Sequence, residues 1–287
     1  MKSILLTGVG VVSPAGVGTA FLPKPEGLND WGDLKLPDLN PDDYGWRGLH
    51  RQSRIGKYCS LAIGEAFRSA DWAMPIENSE LSDKTGLIIS TSHSNLDPII
   101  ALYEDAQSYG VNHVNPGIFP DTVLNAIGGH ASIYFRITGP NATLSNGRMS
   151  GPMGLLYAYD LLTSGQADYV MCCAIEVHPP SRLRSVADVS SGPESVVALL
   201  FQRDDVLLPP VVPERAVRVT LQGPHAYMSD ESLLIKPSNC FLALASLYHA
   251  RMEPRRPSVI QPFVTRQANG YYMFSLDPVD SIGEGHG

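Results

Sequence analysis

The segment that most constrains the fold is residues 139–176, GPNATLSNGRMSGPMGLLYAYDLLTSGQADYVMCCAIE. Its pattern predicts a short strand (142–145), a tight Asn-Gly turn and an apolar helix (150–163). A strand–turn–helix elbow of this kind presents one side chain at a helix N-terminus, where unpaired N–H groups and the helix dipole favour negative charge. In this chain that side chain is Arg148.

The helix and the strand that follow this turn are strongly apolar. The helix carries apolar residues almost all round, which is typical of a helix buried on every side. The strand over 169–175, YVMCCAI, is a continuous apolar run, as expected for a central parallel strand covered on both faces. We therefore expect both elements to lie inside the core.

Strands and helices alternate along the first 203 residues, which predicts a parallel or mixed sheet with helices on both faces. Strands are predicted over 3–12, 85–90 and 195–201, a long loop over 18–48 and the clearest helix over 55–72. In a further helix over 98–109, the residues expected to point inward are Ile99, Ile100, Leu102 and Tyr103. A helix over 120–134 has one apolar side, formed by Val123, Leu124, Ile127 and Ala131.

A proline-rich segment over 204–214 is the best internal boundary, and it divides the chain into residues 1–205 and 206–287. Beyond it the pattern predicts a strand, a helix and a strand, over 217–221, 238–251 and 271–276. We expect this shorter second part to pack on the same core as the first.

Composition excludes several classes of function. The chain has 287 residues, of which 44% are hydrophobic, so it can bury a large core. Its net charge of -8 argues against a nucleic-acid or anionic-membrane surface, and no apolar run is long enough to span a bilayer. The four cysteines have no CxxC spacing, which predicts a reduced, cytoplasmic protein without a metal site. The apolar N-terminus is interpreted as a core strand rather than a signal peptide.

Three familiar motifs are incomplete in this chain. The run GVGVVS at residues 8–13 lacks the third glycine of a dinucleotide fingerprint, and no helix opens there. The run GRMSG at 147–151 is not the G-x-S-x-G of a hydrolase elbow. The eight histidines form no HxxxH or HExxH pair. The sequence therefore predicts no cofactor and nominates no metal ligand.

The elbow resembles the active-site segment of the β-ketoacyl synthases, which have the thiolase fold. In that family a GP dipeptide leads through a strand to a T-A-C-x-S-G elbow, whose cysteine is acylated by a thioester. Matching positions are Gly139, Pro140, Ser150, Gly151, Gly165, Asp168 and Glu176. The similarity covers roughly residues 1–203 and includes the opening run ILLTGVGVVSPAG. It implies a mixed α/β fold with thiolase-like α/β/α/β/α layers and a truncated second half.

Departures from the family pattern are equally informative. The position of the nucleophile falls on Arg148, and a guanidinium is always protonated and cannot attack a thioester. The family's two histidines, in H-G-T and K…G-H motifs, are also missing, because His225 stands in GPHAY and Lys236 precedes Pro-Ser-Asn-Cys. Cys172 and Cys173 lie mid-strand and cannot substitute. The chain is therefore expected to lack Claisen condensation activity and to have no catalytic residue of its own.

A synthase-like chain without its nucleophile resembles the chain-length factor, the inactive partner of an active ketosynthase in heterodimers of polyketide pathways. Its short second half is similar to ketosynthase-like subunits of aryl-polyene clusters. This resemblance implies that acyl carrier protein is reached indirectly, through the partner. The residues it places at the partner interface or acyl tunnel are Phe119, Val123, Leu124, Asn125, Ala142, Thr143, Leu144, Ser145, Asn146 and Arg148.

Alternatives stay open at the level of sequence. Phe119, Val123 and Leu124 could be ordinary core residues rather than limits on product length. Arg148 could pair with an acidic group at the interface or fill the vacated pocket, and if buried it requires a carboxylate or several carbonyl partners. The chain could instead be a stand-alone acyltransferase or thioesterase using Ser145 or Ser150, or a homodimeric module that binds acyl chains.

Overall fold

The computed structural model describes residues 3–20, 22, 27–28, 31–183, 192–206, 216–225, 239–252, 263–267 and 270–279. The strands are β1 (Ser3–Ser13), β2 (Gly16–Val17), β3 (Thr85–Thr91), β4 (Asn141–Leu144), β5 (Tyr169–Glu176), β6 (Ser195–Arg203), β7 (Val217–His225), β8 (Phe263–Gln267) and β9 (Gly270–Pro278). The helices are α1 (Arg54–Ser69), α2 (Ser79–Lys84), α3 (Leu96–Tyr109), α4 (Ala126–Phe135), α5 (Ser150–Thr163) and α6 (Cys240–Met252).

The described strands form one mixed sheet in the order β4-β3-β5-β6-β1-β7-β9-β8, with β2 paired to β1. Strand β3 runs parallel to β4 and β5, whereas β6 is antiparallel to both β5 and β1. Strand β7 pairs antiparallel with β1, so the strands of the second part extend the sheet of the first. Strand β4 ends this order and pairs only with β3 among the described strands.

Side chains that alternate along β5 divide the core between the two faces of the sheet. Met171, Cys173 and Ile175 join a cluster with α1 and α4, and residues Val170 and Cys172 join a second cluster with α5 and α6. Every residue of β5 is buried, because helices cover both faces of the sheet at this strand. The described residues thus form three layers, α/β/α.

Helix α1 approaches β1 unusually closely because β1 carries glycines at the contact. A Cβ atom at Gly10 would collide with the carbonyl oxygen of Ala62, and one at Gly8 would collide with that of Ala66. The helix is fixed at its start by Ser53, whose hydroxyl accepts a hydrogen bond from the Gly56 N–H at 3.2 Å. The glycines that resembled a nucleotide fingerprint therefore serve helix–strand packing.

Most predicted elements occur close to their predicted bounds, and the mixed α/β, thiolase-like fold with a short second part is confirmed. The three strands of that part continue the first sheet, so the described residues supply three of the five expected layers. The proposed boundary between residues 205 and 206 lies next to residues 207–215, which are outside the described residues. The division of the chain into two parts therefore stays a prediction. Strand β8 was not predicted from the sequence.

Three expectations about the helices are wrong, two of them about burial and one about where a helix begins. Helix α5 is not buried on every side, because Met153 and Tyr157 are exposed. Helix α3 has no buried residue, and its Ile99 and Tyr103 are exposed rather than inward. The helix predicted over 120–134 begins only at Ala126, after a 3-10 turn at Phe119–Thr122. Strand β5 is parallel to β3 and antiparallel to β6, in agreement with the expected central strand of a parallel or mixed sheet.

Candidate functional site

The elbow predicted from the sequence is present between β4 and α5. Gly147 has φ +54°, a left-handed conformation that glycine adopts without a Cβ clash. The N–H of Met149 donates to the carbonyl of Asn146 at 3.0 Å, and the N–H of Ser150 donates to that of Gly147 at 3.1 Å. The chain thus reverses within a few residues and delivers Arg148 just before the first turn of α5.

Ser150 is the buried centre of the elbow. Its hydroxyl accepts a hydrogen bond from the Asn146 N–H at 2.9 Å and lies 2.7 Å from the carbonyl oxygen of Gly147. It also lies 3.2 Å from the carbonyl oxygen of Thr91 and 3.1 Å from the hydroxyl of Ser92, both at the end of β3. All these partners are backbone groups or a hydroxyl, and none is a general base.

Arg148 lies at the exposed surface of the elbow. It therefore does not fill a closed pocket, which was one of the two roles considered for it. The side chain is engaged in at least one noncovalent interaction. A positive group now occupies the helix N-terminus, where the dipole and the unpaired N–H groups favour an anion. Pairing of this guanidinium with an acidic group of a partner stays a prediction.

Glu176, at the end of β5, is buried beneath the elbow near the start of α6. Burial raises the pKa of its carboxyl to about 8. A Cβ atom built on Gly151 would lie 3.7 Å from the Glu176 Oε1 and 3.4 Å from the Cys240 Sγ. Burial, followed by the nearby Glu176 and Cys172, raises the pKa of the Cys240 thiol. This thiol is therefore held in its protonated, unreactive form.

The two adjacent cysteines lie within β5, as the sequence predicted. Both are fully buried, and burial raises the pKa of the Cys172 thiol. Burial also raises the pKa of Cys173, whose Sγ lies 3.6 Å from the Cys59 Sγ of α1. Neither of the two β5 thiols combines a lowered pKa with access to a substrate.

Helix α5 packs directly on β3. A Cβ atom at Gly154 would collide with the Ser90 hydroxyl and would lie 3.6 Å from the Cys172 Sγ. The Ser90 hydroxyl is buried and has no hydrogen-bond partner among the described residues. The contact between α5 and β3 therefore depends on the absence of a side chain at this position.

The predicted interface residues fall into two groups on the surface. Ala142, Thr143 and Leu144 are half-buried on β4, and they are followed by the exposed Ser145 and Asn146. In the other group Phe119 is 64% and Val123 52% exposed, Asn125 is exposed and Leu124 is half-buried. The reading of Phe119 and Val123 as ordinary core residues does not hold for the isolated chain. A role for either group in binding a partner stays a prediction.

The exposed apolar surface extends beyond these residues. Helix α3 adds Ile99, Tyr103 and Tyr109, and the chain that follows it adds Val111. The sequence identified the apolar stripe of α3 but assigned it to the core, because periodicity does not reveal what covers an apolar face.

The family's histidine motifs have no counterpart here. His225 lies at the end of β7, and Lys236 lies outside the described residues. Within the described ranges, no three His, Cys, Asp or Glu side chains are grouped as metal ligands. In the same part of the chain, no helix is long and apolar enough to cross a membrane.

Comparison with protein families matches residues 45–187 to the N-terminal domain of β-ketoacyl synthases. Among curated proteins, the chain is 23% identical over 202 residues to 3-oxoacyl-(acyl-carrier-protein) synthase 2 of Rhizobium meliloti (strain 1021), covering 61% of this chain and 47% of the relative. The protein of the same name from Staphylococcus aureus (strain COL) is 22% identical over 184 residues, with coverage of 58% and 44%. The chain thus spans about half the length of the curated relatives that it matches.

Solved structures match nearly the whole chain. The ishigamide ketosynthase/chain length factor has a TM-score of 0.68 and 15% identity, covering 97% of this chain and 100% of that chain. The ketosynthase ApeO in complex with its chain length factor ApeC, from Xenorhabdus doucetiae, has a TM-score of 0.59 and 17% identity, with coverage of 96% and 100%. A type II polyketide acyl-carrier protein complex with its ketosynthase, AntDE:AntF, has a TM-score of 0.74 and 12% identity, with coverage of 97% and 100%. Because these sequence identities are all below 25%, the structural similarities establish the fold alone.

Proposed function

Because the chain carries the N-terminal domain of the β-ketoacyl synthases and has their fold, we propose that it is a non-catalytic subunit similar to a chain-length factor. It pairs with an active β-ketoacyl synthase and shapes the acyl tunnel of that partner. The observation that carries this proposal is Arg148, which stands at the N-terminus of α5 where a condensing enzyme needs a thiolate.

The buried chemistry around the elbow supports a loss of catalysis. The thiols of Cys172, Cys173 and Cys240 are buried with raised pKa values, so none is an activated nucleophile. The Ser150 hydroxyl is fully buried and bonded to the backbone of its own elbow. These findings disfavour the stand-alone acyltransferase or thioesterase on Ser150.

The exposed edge of β4 supports pairing with another subunit. The Leu87 N–H donates to the carbonyl of Pro140 at 2.8 Å, which fixes the hydrogen-bond phase of this parallel pair. Backbone groups of Ala142 and Leu144 then face β3, and those of Asn141 and Thr143 face the open side. An unpaired strand edge of this kind is a template for a strand of another chain.

A second exposed surface, which is apolar, supports the same proposal. Ile99, Tyr103, Phe119 and Val123 are exposed on α3 and on the turn before α4. Exposed apolar surface of this kind is typical of an interface. Phe119, Val123 and Leu124 are proposed to lie near the partner's acyl tunnel, where their bulk limits the length of the product.

The setting is proposed to be polyketide or aryl-polyene biosynthesis in the cytoplasm. The ApeO–ApeC and ishigamide complexes pair a ketosynthase with a chain length factor, and this chain has the same fold. Its net charge of -8 is consistent with an acidic acyl carrier protein docking on the partner and reaching this chain indirectly. No cofactor, nucleic acid or membrane takes part in this role.

Co-expression tests the proposal. The chain is produced alone and together with a full-length ketosynthase from an adjacent reading frame, and masses are measured by size-exclusion chromatography with light scattering. We expect a one-to-one heterodimer. A stable monomer or homodimer that does not bind such a ketosynthase would refute the proposal and favour a homodimeric acyl-binding module.

A matched pair of variants tests the edge. In Thr143→Pro the ring removes an outward N–H while the bonds to β3 are kept, and in Thr143→Val the N–H and the β-branched shape are both retained. We expect heterodimer formation to fall at least about tenfold in the proline variant alone. Mass spectrometry after incubation with acyl thioesters is the complementary control, because an acyl adduct on this chain would support the stand-alone enzyme.

A further inference from the structure

The turn that carries the proposed length-limiting residues has little apolar anchoring. None of the residues of the 3-10 turn Phe119–Thr122 is buried, and Val123 after it is exposed. A segment without buried side chains must be held in place by polar contacts. Two such contacts reach it from neighbouring helices.

The first contact fixes the end of the turn from the side of α3. The Asn95 side-chain amide, just before α3, donates to the carbonyl oxygen of Thr122 at 2.9 Å. This bond restrains the backbone at one point. It does not by itself prevent the turn from rotating about that point.

The second contact comes from α4. The Asp121 Oδ1 faces the His130 Nδ1 at 3.8 Å. Both atoms are buried, and neither has a hydrogen-bond partner among the described residues. At this distance the two atoms are in polar contact but do not form a hydrogen bond. The two atoms therefore face each other across a short gap.

The chemistry of the two groups makes this contact attractive. The Nδ1 of histidine carries a hydrogen in the imidazolium form and in one of the two neutral tautomers. A carboxylate oxygen accepts from an N–H of this kind and attracts it. Burial strengthens the attraction, because surrounding water does not screen these two atoms.

We propose that Asp121 and His130 are a positioning pair that holds the Phe119–Thr122 turn against α4 and so fixes where Phe119 and Val123 project. The pair touches neither acyl chain nor partner in this role. Its effect on product length rests on the proposed function, but its effect on the turn does not.

Hydrogen exchange tests the positioning itself. Exchange of a peptide that covers the turn is measured for Asp121→Ala, His130→Ala and the double variant, in the chain produced alone and, separately, in the heterodimer with the active ketosynthase. We expect exchange in each single variant to rise about five- to tenfold, and the double variant to exchange no faster than the singles. Asp97→Ala, which removes an exposed carboxylate of α3, is the matched control and should leave the turn unchanged.

The same heterodimers report the consequence for function. We expect Asp121→Ala and His130→Ala to shift or broaden the distribution of product lengths, and the conservative Asp121→Glu to restore part of the native distribution. Unchanged exchange in both single variants would overturn the positioning pair. Faster exchange with an unchanged product distribution would leave the pair standing and would instead refute the tunnel role of Phe119 and Val123.

Discussion

The Ser150 hydroxyl accepts a hydrogen bond from the Asn146 N–H at 2.9 Å, so the first residue of α5 closes the elbow that leads into it. The same oxygen lies 3.2 Å from the carbonyl of Thr91 and thereby links the elbow to β3. A hydroxyl with these partners has a structural role. The elbow is thus held together by its own hydrogen bonds, with Arg148 exposed at its surface.

Replacement of Ser150 by alanine should destabilise the protein. The change leaves the Asn146 N–H without its acceptor and removes the link to β3, which costs about 1–3 kcal/mol of unfolding free energy. Urea unfolding measures the loss. Ser145→Ala, in the exposed residue before the elbow, is the control and should change stability by less than about 0.5 kcal/mol. Equal effects for the two variants would contradict the structural role of Ser150.

Two glycine-to-alanine changes in helices should have opposite effects. Gly154→Ala places a methyl group against the Ser90 hydroxyl and should destabilise by about 1–3 kcal/mol. Gly129→Ala in α4 meets nothing within 4 Å and should stabilise by about 0.5–1 kcal/mol through helix propensity. Thermal unfolding compares the two. Combining Gly154→Ala with Ser90→Gly should recover part of the loss, and its failure to do so would exclude this collision as the cause.

Glu176 should make stability depend on pH. Burial raises the pKa of its carboxyl from 4.5 to about 8. Between these values the unfolded chain has released a proton that the folded chain keeps, so the free energy of unfolding falls as pH rises through this window. Glu176→Gln removes this loss of stability. The free energy of unfolding of the variant, relative to that of the wild type, should therefore rise by up to about 4 kcal/mol between about pH 4.5 and pH 8.

Urea unfolding at several pH values measures that difference. Glu77→Gln, in an exposed carboxyl, is the control and should retain the wild-type pH dependence. If Glu176→Gln also retains it, the carboxyl is ionised in the folded protein, and its burial has been compensated by another group.

Restoring a thiol at the elbow should not restore condensation. Arg148→Cys supplies a nucleophile at the N-terminus of α5, but the sequence lacks the two histidine motifs that stabilise and protonate the enolate. The variant is paired with a ketosynthase whose own nucleophile is replaced by alanine, and products are analysed by mass spectrometry. We expect no condensation product above that of the wild-type chain with the same partner. A new product would contradict the assignment of this chain as catalytically inactive.

Local patterns predicted the elements near the elbow well. Helix α5 has its predicted bounds, and β5 extends the predicted strand by one residue, because both are long apolar segments ended by Gly or polar residues. The exposed face of α3 was not predictable, since the same stripe serves a core or an interface. The bonds of Ser150 to Thr91 were not predictable either, because the two residues are 59 positions apart and meet only after the sheet has formed.

In the candidate site, too, local features were predictable from the sequence and contacts that depend on packing were not. Arg148 was recognised at the helix N-terminus from the turn residues around it, but its exposure depends on packing. The contact between Asp121 and His130 has no signal in the sequence, because it requires the break between the 3-10 turn and α4. Strand β8 contains polar residues and is defined mainly by its pairing with β9.

The pairing of strand β1 affects how the protein folds while it is being made. It pairs on one side with β6 and on the other with β7, which ends at His225. Strand β1 (Ser3–Ser13) is therefore synthesised long before β6 (Ser195–Arg203) and β7 (Val217–His225), the strands with which it pairs over most of its length. Pairing over such sequence separations is slow. During synthesis β1 needs shielding by α1 or by a chaperone, and a fragment that stops before β7 leaves one of its edges uncovered.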